Sequence, residues 1–192
     1  AARLQLPARA LQRTLDIMLK EPTDTTDTDA GWSSERSAEM YGINNWGAGY
    51  FNLSEQGEVQ VNVDFGDHQV VVSVMDIVLG MRARGLHMPA VLRIRNLLDN
   101  RIKVLNESFA QAIEQGGYQN SYRGVFPIKV NQQCHVIEEI ADYGRRYHHG
   151  LEAGSKAELI IALSQLRDHD SLIICNGYKD AEFIDLGLYA RQ

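Results

Sequence analysis

The sequence has little cysteine, little proline and no long apolar run. Its only cysteines are Cys134 and Cys175, so a disulfide framework is not expected and a reducing, cytoplasmic compartment is. Four prolines and 16 glycines are too few for a collagen-like or low-complexity chain. Because the apolar runs are far shorter than the roughly 18 residues of a membrane span, no membrane partner is expected.

Basic residues are in the minority as well. The 192 residues include 19 Lys and Arg against 25 Asp and Glu, which gives a net charge of −6. A protein that binds the nucleic-acid backbone carries a basic face, so no nucleic-acid partner is expected. The apolar fraction of 44% is enough for one sizeable core.

Two segments resemble metal-binding motifs, but neither has the spacing and side-chain directions that such a site requires. The acidic run at 24–29 lacks the glycine and glutamate of an EF-hand loop, and we expect a linker there. His148, His149 and Glu152 resemble a ligand set, but adjacent histidines on an extended segment point to opposite faces, which favours a surface loop. Cys134 has no histidine placed as its base, which favours a core thiol. No metal site is expected.

The first 85 residues predict two segments. Residues 1–35 read as an amphipathic helix followed by a linker. Within 36–85, strand-forming residues at 46–52 and 59–63 flank a turn at 54–57, which predicts a β-hairpin. Ser73 with Asp76 three residues later is typical of a helix start, and this helix is predicted to run through Met81.

From residue 86 onwards, short apolar runs alternate with helical periodicity. Strands are predicted at 90–94, 124–130, 150–153 and 171–175, each followed by a helix; Ser155 with Glu158 and Asp180 indicate two of the helix starts. This alternation predicts an α/β fold with a parallel sheet. The pattern leaves open whether the strands form an open sheet or half of a closed (β/α)8 barrel.

Lys129 is an unusual residue for its position. It lies between Ile128 and Val130 near the end of the second predicted strand, and ligands of parallel α/β folds bind at that edge. Partial burial would lower the pKa of the amine and make it a nucleophile toward an aldehyde. The alternative is an ordinary lysine that reaches solvent or pairs with Glu152. Pro127 removes one ladder hydrogen bond and indicates a bend that aims Lys129 inward.

Three blocks of sequence carry a resemblance to a known family. They are residues 126–132 (FPIKVNQ), 150–159 (GLEAGSKAEL) and 174–180 (ICNGYKD). In this order they resemble the pyridoxal-phosphate-dependent biosynthetic arginine decarboxylases, in the alanine racemase-like group that includes ornithine and diaminopimelate decarboxylases. The resemblance runs from about residue 33 to the end of the chain.

This resemblance implies a fold and a site. Residues 86–192 would form the first half of a (β/α)8 TIM barrel, and the N-terminal hairpin would belong to an added β domain. Lys129 would hold pyridoxal 5'-phosphate as a Schiff base, with Glu152 and Ser155 beside the cofactor. The implied enzyme is a homo-oligomer that converts its small-molecule substrate, L-arginine, to agmatine and CO2 in putrescine and spermidine synthesis. A Mg2+ requirement is implied by the resemblance alone.

The resemblance also implies that the sequence is an N-terminal fragment. In this family the phosphate-binding glycines, the acid beside the ring nitrogen and the reprotonating cysteine come later, so residues 1–192 are expected to be inactive in isolation. A related decarboxylase of ornithine or diaminopimelate is one alternative. A non-catalytic cofactor carrier is another, although the presence of Lys129 argues against it.

Overall fold

The computed structural model describes residues 31–65 and 68–190, so the helix predicted at 1–20 lies outside the described residues. The described strands form two sheets of three strands each, one antiparallel and one parallel. The helices are α1 Ser34–Met40, α2 Ile43–Trp46, α3 Val74–Ala83, α4 Arg95–Gly116, α5 Cys134–Gly144, α6 Lys156–Gln165 and α7 Ala181–Tyr189. The strands are β1 Phe51–Leu53, β2 Val59–Phe65, β3 His68–Ser73, β4 Val125–Pro127, β5 Gly150–Ala153 and β6 Ile173–Cys175, with 3-10 turns at Ile128–Val130 and Arg145–Tyr147.

The predicted hairpin is present within a larger antiparallel sheet, ordered β1-β2-β3. Valines alternate with polar residues along β2, so Val61 and Val63 are buried on one face, which is the pattern of a half-buried strand. The prediction differs in two respects: Trp46 ends the short helix α2 rather than opening a strand, and residues 68–73 add a third strand. That third strand was missed because its valines follow one another instead of alternating with polar residues.

The parallel sheet has the strand order β4-β5-β6, so consecutive strands lie side by side. β5 covers the predicted residues and is buried along its whole length. The predicted strand at 90–94 is wrong: those residues are irregular, and Val91 is 79% exposed. β-propensity does not make a strand without a partner to pair with. Leu92 and Ile94 line an apolar cavity of about 380 Å³ with Phe126 and Val130 instead.

Helix α4 joins the two sheets. Tyr50 donates its hydroxyl hydrogen to Asn100 Oδ1 at 2.6 Å, and Asn96 Nδ2 donates to the Asp64 carbonyl at 3.1 Å. The opposite side of α4 contributes Ile102 to the core beneath the parallel sheet. None of the described helices is long and apolar enough to cross a lipid bilayer.

The main core lies between the parallel sheet and helices α4, α5 and α6. Its buried members are Ile102, Ile128, Val136, Ile137, Ile140, Leu151 and Ala162. The repeat of apolar residues at three- and four-residue spacing along α5 places one face of that helix in this core. Ala153, Leu159 and Phe183 form a second cluster that packs α7 onto α6. The carboxyl ends of the strands are thereby held on a rigid support.

Three predicted helix starts are confirmed. Ser73 Oγ accepts hydrogen bonds from the backbone at residues 75 and 76, Ser155 Oγ accepts from Glu158 N at 3.2 Å, and Asp180 Oδ1 accepts from Phe183 N at 2.9 Å. Each cap satisfies a donor that the first helical turn leaves unpaired. Two of them, at Ser155 and Asp180, fix where α6 and α7 begin beside the strand ends.

The turn before β5 differs from prediction. His149 is not on a surface loop: it is only 5% exposed, and its Nδ1 lies 3.5 Å from Asn106 Nδ2. A side chain at Gly124 or Gly144 would collide with the imidazole, so glycines provide the space for it. Cys134 is also not a core thiol, because it is exposed and donates to Glu138. In both cases tertiary packing decides whether the side chain is buried, and the local sequence pattern carries no information about that packing.

Burial lowers the pKa of His149 below its ordinary value, so the unfolded chain binds a proton more readily than the folded one. We expect the free energy of unfolding to fall as the pH drops through about 6.5, and the loss to level off below the folded-state pKa. Urea unfolding between pH 7.5 and 5 measures this slope.

The comparison is made between variants because Asp99 titrates in the same pH range, and its protonation has the opposite effect on the free energy of unfolding. Burial, followed by its hydrogen bond to Glu139, raises the pKa of Asp99 to about 6. His149→Gln should flatten the loss of stability toward low pH, whereas the exposed control His169→Gln should leave it unchanged. Equal slopes in wild type and His149→Gln would contradict the assignment.

Candidate active site

The carboxyl ends of the three parallel strands meet at one edge of the sheet, which we call the carboxyl edge. Lys129 lies in the turn that follows β4, Glu152 lies in β5, and Asn176 follows β6. In the register of the sheet, Pro127 pairs with Glu152. The backbone N–H of Asn176 donates to the Ala153 carbonyl at 2.9 Å, so the third strand end is tied to the second. Ligands of parallel α/β folds bind at this edge.

Lys129 and Glu152 form an ion pair at the carboxyl edge. Lys129 Nζ lies 3.2 Å from Glu152 Oε1 and donates a hydrogen bond to it. The fully buried Ile128 anchors the 3-10 turn, and Lys129 therefore extends from a fixed backbone. The pair is asymmetric, since the side chain of Lys129 is 55% exposed and that of Glu152 is 10% exposed.

The predicted desolvation of Lys129 is wrong for this structure. The lysine is not enclosed by the strand end, because β4 stops at Pro127 and the chain turns before the lysine. The alternative considered from the sequence, a lysine paired with Glu152, describes the geometry. The amine is therefore accessible to a ligand and held by one carboxylate.

Ser155 follows the end of β5, as predicted. Its hydroxyl oxygen accepts from the backbone of Glu158, so as placed it is the N-cap of α6. It is exposed at the carboxyl edge and two residues beyond the end of the buried strand that carries Glu152. Lys129, Glu152 and Ser155 thus all lie at this edge, and the first two are hydrogen-bonded to each other.

The sequence pattern identifies Glu158 only as part of a capping motif, and the structure shows a further role. Its carboxylate is not bonded to the N-cap residue itself. Glu158 Oε2 accepts from the Gly154 backbone N–H at 2.7 Å, and Oε1 accepts from Gln132 Nε2 at 3.4 Å. The Ser-x-x-Glu spacing was the available signal, but it does not specify which donors the glutamate reaches.

Lys156 is a second lysine at this edge. Its Nζ donates to Asp180 at 2.8 Å and to Glu182 at 2.5 Å, and these two carboxylates raise the pKa of the lysine well above its ordinary value. The hydrogen bond from Lys156 in turn lowers the pKa of Asp180. An amine must lose a proton before it attacks an aldehyde, so Lys156 is poorly suited to that reaction. Its contacts instead join the starts of α6 and α7.

The residues at the carboxyl edge fit one end of an aldehyde cofactor, the end that carries the aldehyde group. The Lys129 amine is accessible to a ligand, and the Glu152 carboxylate, within hydrogen-bond distance, holds it at the carboxyl edge. The loops after β5 and β6 lie side by side at this edge: a Cβ at Gly177 would be in ordinary contact, 3.4 Å, with the Gly154 carbonyl oxygen. The donor set therefore fits attachment of an aldehyde at Lys129, with Ser155 available at the same edge.

A magnesium site is not supported in the same way. Within residues 31–65 and 68–190, the one group of three potential ligands is His148, Asp168 and Asp170, at the amino ends of the strands. Asp168 is already bonded to His148 at 2.7 Å, and this contact lowers the pKa of the carboxyl. Mg2+ prefers oxygen ligands in an octahedral arrangement, so one imidazole and two carboxylates do not fit it well.

Comparison with known proteins agrees with the geometry. Residues 101–190 match the family described as pyridoxal-dependent decarboxylase, pyridoxal binding domain. A biosynthetic arginine decarboxylase of Synechococcus sp. (strain RCC307) is 45% identical over 161 residues, which cover 84% of this chain and 25% of that protein. That of Gloeobacter violaceus is 45% identical with the same coverage. The crystal structure of the biosynthetic arginine decarboxylase of Campylobacter jejuni is similar with a TM-score of 0.70 at 33% identity, covering 78% of this chain and 24% of that one.

The fold and the matched residues indicate a class first: residues 101–190 are similar to the pyridoxal binding domain of the pyridoxal-dependent decarboxylases. Most of the chain is similar to a part of biosynthetic arginine decarboxylases, so the resemblance described from the sequence is confirmed. The chain spans about a quarter of the length of the curated relatives it matches.

The ion pair generates a stability prediction for the cofactor-free protein. Lys129→Met leaves the nearly buried Glu152 carboxylate without its cation, and we expect the free energy of unfolding to fall by about 1–3 kcal/mol. Adding Glu152→Gln should recover part of this loss, with a coupling energy of about 1 kcal/mol, because an amide needs no counter-charge. Urea unfolding of the wild type, both single variants and the double variant measures the cycle.

The exposed lysine of α4, Lys103, supplies the control: Lys103→Met should change stability by less than about 0.5 kcal/mol. Additive effects of Lys129→Met and Glu152→Gln would mean that the observed ion pair contributes nothing in solution.

Proposed function

We propose that the complete protein containing this chain decarboxylates L-arginine to agmatine and CO2, with pyridoxal 5'-phosphate attached to Lys129. The observation that carries the proposal is an accessible lysine paired with a nearly buried glutamate at the carboxyl edge, inside the segment that matches a pyridoxal-binding domain. The names of the similar proteins support arginine as the substrate. Agmatine is a polyamine precursor, so the product fits putrescine and spermidine synthesis.

Lys129 and Glu152 have different roles in the proposed reaction. Glu152 Oε1, 3.2 Å from the Lys129 nitrogen, would hold the lysine at the carboxyl edge, and the solvent to which the amine is open would take the proton that the ammonium must lose before the nitrogen attacks an aldehyde carbon. The same carboxylate would keep the lysine in place while its nitrogen is not bonded to the cofactor. Once bound, pyridoxal phosphate supplies the electron sink that stabilises the charge left by departing CO2.

Ser155 is proposed as a cofactor neighbour. Its cap bond to Glu158 fixes the serine at the start of α6, beside the strand end that bears Glu152. A side chain held by a helix cap keeps its position without a cofactor, which is the condition for a preorganised site. The remaining contacts to the phosphate, the ring nitrogen and the guanidinium of arginine are proposed to come from other parts of the complete protein.

For the architecture, we propose that residues 86–192 belong to a (β/α)8 barrel, that 36–85 belong to an added β domain and that 1–35 precede it. The sequential parallel order β4-β5-β6 and the helix after each strand support the barrel. The separate antiparallel sheet β1-β2-β3 supports the second domain. The irregular residues between α3 and α4 form the connection.

Three further proposals concern the surroundings of the protein. A cytoplasmic location is supported by Cys134 and Cys175, which are both free and exposed. A homo-oligomer and a Mg2+ requirement rest on the family resemblance. The net charge of −6 supports a small-molecule substrate over nucleic acid as the binding partner.

The experiment uses the complete protein with pyridoxal phosphate. We expect L-arginine to release CO2 and agmatine, and borohydride reduction followed by peptide mapping to find the cofactor on Lys129. Lys129→Arg should abolish the label and lower kcat by about 10³-fold or more. Lys179→Arg is the matched control, because Lys179 lies at the same edge and donates to the Gly177 carbonyl at 2.6 Å, and it should retain label and activity.

A label on another lysine would overturn the site. Faster turnover of L-ornithine or diaminopimelate than of L-arginine would keep the site and change the substrate. Labelled Lys129 without release of CO2 from any of the three amino acids would establish a non-catalytic cofactor carrier.

A further inference from the structure

The carboxylate of Glu158 is buried and receives its hydrogen bonds from uncharged groups. The residue is 8% exposed, and its described partners are the Gly154 backbone N–H and the side-chain amide of Gln132. A buried charge is costly unless several donors satisfy it. The two donors come from different loops, so the carboxylate connects segments that are far apart in sequence.

The first of these loops follows β5 and carries Ser155. The 2.7 Å bond from Gly154 N to Glu158 Oε2 fixes the backbone directly between the strand and the N-cap serine. A Cβ on residue 154 would lie 3.4 Å from the same carboxylate oxygen, an ordinary contact, so the carboxylate lies directly against this backbone. The other side of this backbone faces Gly177, in the loop after β6, which connects a third strand end to the same point.

The second loop follows Lys129. Gln132 is three residues beyond the lysine and precedes Gln133, the N-cap of α5. Its bond to Glu158 Oε1 is longer, at 3.4 Å, and closes the connection between the two loops. The lysine turn is therefore held at its start by the buried Ile128 and beyond its end by Glu158 through Gln132.

We propose that Glu158 is a positioning residue for the Lys129 site: it ties the Ser155 loop to the segment that follows Lys129, and so keeps the lysine opposite Glu152. The inference rests on the proposed function, because it assigns Glu158 to the same cofactor site. Among the described residues, the Glu158 carboxylate is bonded to neither Lys129 nor the Ser155 hydroxyl, and it acts through Gly154 and Gln132.

The physical consequence of losing the carboxylate follows from its two bonds. Glu158→Ala leaves the Gly154 N–H without its acceptor and frees Gln132, so the two loops move independently. Glu158→Gln keeps a carbonyl oxygen for Gly154, and Gln132 can turn its amide to present an oxygen to the new amide group. The conservative variant should therefore restore what the alanine variant loses, although it lacks the charge.

Two measurements on the complete protein test the proposal. The first is amide hydrogen exchange at Gly154 without pyridoxal phosphate, and the second is the pyridoxal phosphate concentration for half-maximal label on Lys129, mapped after borohydride reduction. In Glu158→Ala we expect exchange at Gly154 and the half-saturating concentration each to rise by about ten-fold or more. Glu158→Gln should stay within about three-fold of wild type.

The matched control is Glu114→Ala, which removes an exposed glutamate from the last turn of α4, outside both loops. It should change neither quantity. If Glu158→Ala does not fold, Gln132→Leu cuts the other end of the connection and should still raise the half-saturating concentration; an unchanged value would overturn the role of Glu158.

The outcomes separate the two claims. A wild type that takes no label on Lys129 overturns the proposed function and the role of Glu158 with it. Label on Lys129 with an unchanged half-saturating concentration in Glu158→Ala overturns the role of Glu158 alone.

Discussion

The candidate site depends on the register between β4 and β5. Pro127 pairs with Glu152, and Lys129, two residues further along, extends from the same side toward that glutamate. Side chains alternate along a strand, so a slip of one residue would place Leu151 or Ala153 opposite Pro127 and leave Lys129 without its carboxylate. The register is held by buried apolar side chains, above all Ile128 and Leu151, which are both fully buried. The chemistry of the edge is thus a consequence of core packing.

The loops beyond the strands refine what the register provides. Caps at Ser155 and Asp180 fix the starts of two helices, and Lys156 joins these starts through its carboxylate partners. Glu158 connects a strand-end loop to the lysine segment. Lysines at one edge consequently differ in chemistry: Lys156 is held as a cation by two carboxylates, whereas Lys129 is paired, within the described residues, with Glu152 and keeps an accessible amine.

Features with local causes could be predicted from the sequence, and features that depend on distant packing could not. The strand at 150–153 and the caps at Ser155 and Asp180 follow from short apolar runs and from residue types at fixed spacing. Three features depend instead on which distant segments pack against a residue: the exposure of Lys129, the burial of His149 and the irregular structure of residues 90–94. A local sequence pattern carries no information about that packing. The family resemblance predicted a cofactor role for Lys129, whereas the contacts of Glu158 became visible only in the structure.

The most direct test of the account is the crystal structure of the complete protein after borohydride reduction with pyridoxal phosphate. We predict continuous electron density between Lys129 Nζ and the cofactor, with the Glu152 carboxylate beside that nitrogen and Ser155 facing the same ligand. Cofactor density on a different lysine, or a Lys129 side chain directed away from Glu152, would contradict the account.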